Sequence, residues 1–106
     1  MQVNNVNSQN FQAINTSKAT NALFKRLNTP ERYDSFLRLE SSQTKNPLNI
    51  LLTEGKGKKL TGQIIDKEGK VLFESNECFF QGALNLSPIK FLKNLCKQAD
   101  KLNLNK

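Results

Sequence analysis

The sequence predicts an α+β domain in which two short N-terminal helices and one long C-terminal amphipathic helix pack on a three-stranded antiparallel meander. Three observations support this fold class. Apolar residues recur every three to four positions before Pro47 and after Pro88, and they alternate every second position between the two prolines. Thr29-Pro30 and Ser87-Pro88 each combine an N-cap residue with a proline, which is typical of a helix start.

The first 16 residues are predicted to be a flexible Asn-rich leader, followed by a single domain over residues 17–106. The leader carries no charge and few apolar side chains, so it cannot bury enough surface to offset its ordering entropy. Phe11 and Ile14 are the leader residues that could dock on the domain or on a partner.

The helices are placed by periodicity and capping. A first helix is expected over about 17–27, where apolar residues recur at spacing four. The second begins after the N-cap Thr29, with Pro30 in its first position, and runs to about Ser41. The last helix covers about 88–103 and has one apolar and one basic side.

The alternating segment predicts three strands and an inner sheet face. The expected inner side chains are Leu48, Ile50, Leu52, Leu60, Ile64, Val71 and Phe73. Leu51, Ile65 and Leu72 then lie on the outer face, where either part of the N-terminal region or a partner covers them. An exposed apolar sheet face usually marks an interface, so these three residues are interface candidates together with Phe11 and Ile14. Residues 76–86 are too apolar for a free loop, and they are expected to form a short edge strand or a plug under the last helix.

The net charge of +7 favours an anionic partner. Lysine outnumbers arginine 13 to 3 and asparagine occurs 14 times, so the codon bias of an AT-rich genome is an alternative explanation. The candidate anion-binding or nucleic-acid-binding residues are Lys90, Lys93, Lys97 and Lys101 on one side of the last helix and Lys56, Lys58 and Lys59 at the first hairpin turn. The helix lysines would span about 16 Å. A solvated helix face and a flexible hairpin tip are the alternatives.

The residue types present exclude most catalytic and metal-binding arrangements. The chain has no histidine and only two cysteines, Cys78 and Cys96, which removes Ser-His and Cys-His nucleophiles and the usual zinc sites. Glu74 and Glu77 are expected to be solvated acids. No catalytic residue, metal site or cofactor is therefore predicted, and the chain is not expected to be an enzyme. A redox pair of the two cysteines is the alternative for these thiols.

No signal peptide or membrane-spanning helix is predicted, because no apolar run exceeds three residues. A cytoplasmic location with reduced thiols is expected.

Without the first helix, the predicted order of helix, three strands and helix resembles that of the double-stranded RNA-binding domain. That family docks lysines at the start of its last helix on phosphates, where Lys90 and Lys93 lie here. The compact Lys-Lys-x-Ala-Lys run of the family is replaced by residues 87–91, and the Gly-Pro and His of its inter-strand loop have no counterpart. The resemblance is one of element order, and no family is assigned from it.

These observations favour a non-enzymatic interaction module that binds another protein, or itself through the outer sheet face or an open edge strand. The alternative is nonspecific binding of a nucleic-acid backbone through the lysines of the last helix.

Overall fold

A computed structural model describes residues 13–104, which form a four-stranded mixed sheet with helices on one face. The strands are β1 (Ile14–Lys18), β2 (Asn49–Glu54), β3 (Leu60–Ile65) and β4 (Val71–Asn76), and they lie in that order across the sheet. The helices are α1 (Thr20–Arg26), α2 (Pro30–Ser42), α3 (Phe79–Ala83) and α4 (Ile89–Leu104), and a 3-10 turn covers Lys56–Lys58. The α+β class and the packing of the C-terminal helix on the sheet are confirmed.

The sheet has one more strand than the sequence predicts. Strand β1 pairs in parallel with β2; its residues 14–16 were assigned to the leader and its last two to the first helix. The prediction was wrong because only Ile14 in this strand is buried, so the segment lacks the alternation that marks a strand. Helix α1 therefore begins later than expected, at Thr20, and no side chain caps its N-terminus. The added parallel strand also departs from the element order of the double-stranded RNA-binding domain.

Helix α2 follows the predicted capping. The Thr29 hydroxyl accepts a hydrogen bond from the Arg32 backbone N–H, and Pro30 occupies the first helical position. This helix packs against α4, and its Phe36 enters the core.

A single apolar core lies between the sheet and the helices. Ile50, Leu52, Leu60 and Ile64 are buried on the inner face, as the alternation predicts. The buried residues of α4 are Phe91, Leu92, Leu95, Cys96 and Ala99. Helix and sheet approach closely at Gly62, where a Cβ atom would overlap the Leu95 side chain.

A β-bulge corrects the predicted faces of β4. Phe73 pairs with Ile64 but Val71 pairs with Ile65, so Leu72 is an extra residue. The bulge turns Leu72 toward the core, where it packs partly buried, and it leaves Val71 exposed on the outer face. The sequence predicted Val71 on the inner face and Leu72 on the outer face, because strict alternation does not allow for a bulge.

Residues 76–86 form neither an edge strand nor a plug beneath α4. They end β4, form the one-and-a-half turns of α3 and return to α4. Their large apolar side chains point to solvent.

Candidate functional site

Helix α3 and the residues after it expose four large apolar side chains within eight positions. The exposed fractions are 51% for Phe79, 65% for Phe80, 65% for Leu84 and 45% for Leu86. The two phenylalanine rings meet edge to face with their centroids 6.1 Å apart. Phe80 and Leu84 are four positions apart, which places them on the same side of a helical turn. These four residues are named the α3 patch.

The backbone of α3 packs directly against the 3-10 turn because Gly82 has no side chain that would separate them. A Cβ atom on Gly82 would lie 2.5 Å from the carbonyl carbon of Lys58 and would overlap the carbonyl oxygen of Gly57. The Phe79 ring lies in turn over Gly57, whose φ of +67° suits glycine. The turn and the helix therefore fix one another through backbone contact.

Local hydrogen bonds fix the backbone of this segment at both ends. The Gln81 side chain accepts from the Cys78 backbone N–H at 2.9 Å, which caps the start of α3. The Gln81 carbonyl accepts from the Leu86 N–H at 2.9 Å, and Asn85 adopts a left-handed conformation with φ of +56°. These local hydrogen bonds help to hold the path of the chain from Cys78 to Leu86.

A buried ion pair lies beneath the α3 patch. The Arg26 guanidinium donates to both carboxylate oxygens of Glu77, with the Nη2 to Oε2 distance at 2.8 Å, and both side chains are fully shielded from solvent. Arg26 comes from the last turn of α1, and Glu77 directly follows β4. Two charges removed from water need such a bidentate contact to offset their lost hydration.

The remaining hydrogen bonds of this pair reach three further segments. Arg26 donates to the carbonyl of Leu86 at 2.9 Å and to that of Lys58 at 3.0 Å, and Glu77 accepts from the Leu60 N–H at 3.0 Å. The pair therefore ties α1 to the 3-10 turn, to β3 and to the end of the α3 segment. Arg32 adds a second layer by donating to the carbonyls of Arg26 and Asn85.

The surface beside the α3 patch is positive. Lys56, Lys58 and Lys59 lie in the turn on which α3 rests, and the Lys58 ammonium donates to the Asn85 side chain at 3.1 Å. The sequence from 55 to 65 contains no acid. Glu77 is the nearest acid in sequence to α3, and it is neutralised by Arg26. An apolar patch with a cationic rim is the result.

The four lysines predicted on the last helix are exposed along α4, opposite its buried side. The structure brings Lys97 and Lys101 together in the wall of a groove between α4 and β4. Lys90 and Lys93 lie nearer the start of the helix and do not line that groove. The turn lysines, Lys56, Lys58 and Lys59, lie beside α3 instead.

The five predicted interface residues have different positions. Ile14 is 1% exposed in the core, so of its two alternatives it docks on the domain, and Leu72 packs against the core through the bulge. Leu51 and Ile65 are half-buried on the outer face, as the alternation predicts. Phe11 lies outside the described residues.

The acids and thiols considered in the sequence analysis do not form a common site. Glu74 is exposed and accepts from the Gln63 amide, whereas Glu77 is buried with Arg26, so its expected solvation was wrong. Cys78 is exposed and Cys96 is buried. Among residues 13–104 no cluster of three or more potential metal ligands is found, and in the same span no helix is long and apolar enough to cross a membrane.

Sequence reasoning missed both Arg26 and the α3 patch. Arg26 follows Ala22 and Leu23 at spacings of four and three, which places it on the buried side of α1, and a buried arginine at such a position requires an acid partner. The α3 patch was visible as apolar residues in an ambiguous segment, but their direction depends on the contact of Gly82 with Gly57. That contact is tertiary and leaves no local signal.

Comparison of the chain with protein-family models, with curated proteins and with solved structures finds no match in any of the three.

Proposed function

We propose that this chain is a non-enzymatic protein-binding module whose partner packs against the α3 patch. The observation that carries the proposal is the exposure of four large apolar side chains on a segment with a fixed backbone. Contiguous exposed apolar surface rimmed by polar groups is typical of protein–protein interfaces, and aromatic side chains often dominate their affinity. A fixed backbone loses little conformational entropy on binding.

The surrounding charge supports a partner that is acidic as well as apolar. Lys56, Lys58 and Lys59 lie in the turn beneath α3, and the whole chain carries a net charge of +7. A second copy of this chain would bring a second set of lysines toward the first. Like charges disfavour that contact, so the preferred partner is a different protein with an apolar and acidic surface.

A selection from a library of random displayed peptides on the full chain tests this proposal. Enriched peptides should combine apolar and acidic residues. Their affinity for the double variant Phe80→Ser/Leu84→Ser should fall at least about tenfold, because each lost apolar contact is worth about 1–3 kcal/mol. Leu104→Ser is the matched control, since Leu104 is 83% exposed and lies at the far end of α4.

Two results would count against the proposal. Enriched peptides that bind the double variant and the parent equally would place the binding surface elsewhere. A dimer in sedimentation that the double variant dissociates would assign the α3 patch to self-association instead.

A second candidate function is nonspecific binding of a nucleic-acid backbone along α4. It is supported by the exposure of Lys90, Lys93, Lys97 and Lys101, none of which forms an ion pair within the described residues. Ammonium groups in a row with no acidic partner are free to contact phosphates.

A further inference from the structure

A groove that shares no lining residue with the α3 patch separates β4 from α4 at the open edge of the sheet. Its volume is about 410 Å³. Its apolar lining consists of the half-buried Phe73 of β4 and of Phe91 and Leu95 of α4, whose side chains are almost fully buried, and its charged lining consists of Lys97 and Lys101. None of the described residues that line it is acidic. An occupant that suits this groove is apolar where it meets the rings and anionic where it meets the lysines.

The neighbouring strand offers backbone hydrogen bonds to such an occupant. Within residues 13–104, β4 pairs with β3 on one side only, so its other edge has unpaired N–H and C=O groups. The strand contains no proline or lysine, the residue types that often block an edge. An extended peptide can add to an edge of this kind as a further strand.

The two sides of β4 differ in charge, and this difference sets the pattern of the peptide. Phe73 and Ser75 face the groove, whereas Glu74 lies between them on the outer face and accepts from Gln63. Acidic side chains of an added strand are therefore attracted on the groove side and repelled on the outer side. The peptide should carry its acids at alternate positions only.

The spacing of the lysines agrees with that pattern. Lys97 and Lys101 are four residues apart, which is about 6 Å along a helix. Alternate side chains of an extended strand are about 6.6–6.8 Å apart. Two acids separated by one residue can each meet one lysine.

From this juxtaposition we propose that the edge of β4 and the adjoining groove bind an extended peptide as a fifth strand, with apolar side chains and two successive acidic side chains at its groove-side positions. This site lies on other elements than the α3 patch and does not depend on it.

The test uses the full chain and a labelled ten-residue peptide. Threonine occupies every second position of the peptide, and leucine and aspartate share the positions between. Fluorescence anisotropy should show saturable binding that is about tenfold weaker for Lys97→Gln/Lys101→Gln. Lys90→Gln/Lys93→Gln removes the same charge from the same helix outside the groove, and it should change the affinity less than about twofold.

Backbone pairing is tested on the peptide, which leaves the protein unchanged. In an added strand, alternate N–H groups point toward the neighbouring strand. Two N-methylated peptides, one methylated at the threonines and one at the other positions, should therefore differ in affinity. The peptide whose methyl groups replace the N–H hydrogens that face β4 should lose binding. Amide exchange of residues 72–76 should slow when the parent peptide is bound.

Three results would overturn the proposal. The first is the absence of saturable binding at millimolar peptide. The second is equal weakening by the two lysine pairs, which would indicate attraction by net charge and would favour the nucleic-acid function of α4. The third is equal binding of the parent and both methylated peptides, which would exclude pairing with the strand edge.

Discussion

Arg26 and Glu77 connect more of the fold than any other pair of side chains in the described part of the chain. They join α1, the 3-10 turn, β3 and the segment that carries the α3 patch. A second ion pair, between Asp34 and Arg38, is exposed and local. Exposed pairs contribute little to stability, whereas breaking a buried pair leaves an uncompensated charge.

Removal of one member of the buried pair should therefore be more harmful than removal of both. Glu77→Gln leaves the Arg26 charge buried and should lower the free energy of unfolding by about 3–5 kcal/mol. Arg26→Met/Glu77→Met removes both charges and should recover part of that loss, although the carbonyls of Lys58 and Leu86 lose a donor. Urea denaturation measures all three proteins. A double variant less stable than Glu77→Gln would contradict the role given to the charge.

Cys96 should make the free energy of unfolding decrease at alkaline pH. Burial, with a smaller contribution from Asp100, raises the pKa of the Cys96 thiol from 9.0 to about 12. Above about pH 9 the unfolded thiol ionises while the folded thiol stays neutral, so ionisation favours unfolding. The stability that is present below pH 9 should fall as the pH rises toward 12.

Comparison with Cys96→Ala isolates this effect. The variant differs from the parent only in lacking the Cys96 thiol. Between about pH 8 and about pH 10.5, the urea midpoint of the parent should fall more than that of the variant. Parallel decreases would show that Cys96 does not titrate differently in the folded and unfolded states.

At the scale of elements, α3 depends on one glycine. A Cβ atom on Gly82 meets the backbone of Gly57 and Lys58, which cannot rotate away as a flexible side chain can. Gly82→Ala should therefore lower stability by about 1–3 kcal/mol, the usual range for overpacking. Gly55→Ala is the matched control in the same turn, because no atom lies within 4 Å of its Cβ position and its φ is negative. Equal melting temperatures of the two variants would contradict the close contact.

The elements that the sequence predicts well are those with a strong local signal. Helix α2 starts where Thr29 and Pro30 predict, and α4 covers nearly the predicted residues because its apolar and basic sides are separated. The hairpin of β3 and β4 follows from alternation and from Gly69, which has a φ of +84°.

The elements that were missed depend on tertiary contacts. Strand β1 is held by its backbone pairing with β2 and by the burial of Ile14, and its remaining residues are polar. The bulge at Leu72 arises from the pairing with β3. Neither β1 nor the bulge changes the local alternation from which strands are recognised. Alternation therefore predicted three strands in place of four, and it placed Val71 and Leu72 on the wrong faces.

For the whole molecule, the exposed lysines fall on two surfaces, and only one of them adjoins the exposed apolar patch. The α3 patch lies with the turn lysines, and the α4 lysines begin after Pro88 and run to the other end of the helix. The outer sheet face has Leu51, Ile65 and Val71 among polar side chains and is a weaker basis for a protein interface than the α3 patch. A basic surface of this kind can attract any polyanion, so specific and nonspecific attraction have to be distinguished by salt dependence.

The nucleic-acid function of α4 makes a quantitative prediction for duplex DNA. If Lys90, Lys93, Lys97 and Lys101 each contact one phosphate, the logarithm of the association constant should fall with the logarithm of salt concentration with a slope of about −3.6. Lys93→Gln/Lys97→Gln should flatten that slope by about 2 and weaken binding evenly for all sequences. Fluorescence polarisation titrations at about 50 mM and about 200 mM salt measure both quantities.

Two further measurements separate a phosphate contact from a change in the fold. The melting temperature of Lys93→Gln/Lys97→Gln should stay near that of the parent, because exposed charges contribute little to folding. A second double variant, Lys56→Gln/Lys59→Gln, removes the same charge from the turn beside α3 and should leave the slope unchanged if only α4 contacts DNA. Four defined phosphate contacts along α4 require that the turn lysines do not contact DNA. If both double variants flatten the slope equally, the DNA contacts are instead spread over the whole basic surface, which contradicts the prediction.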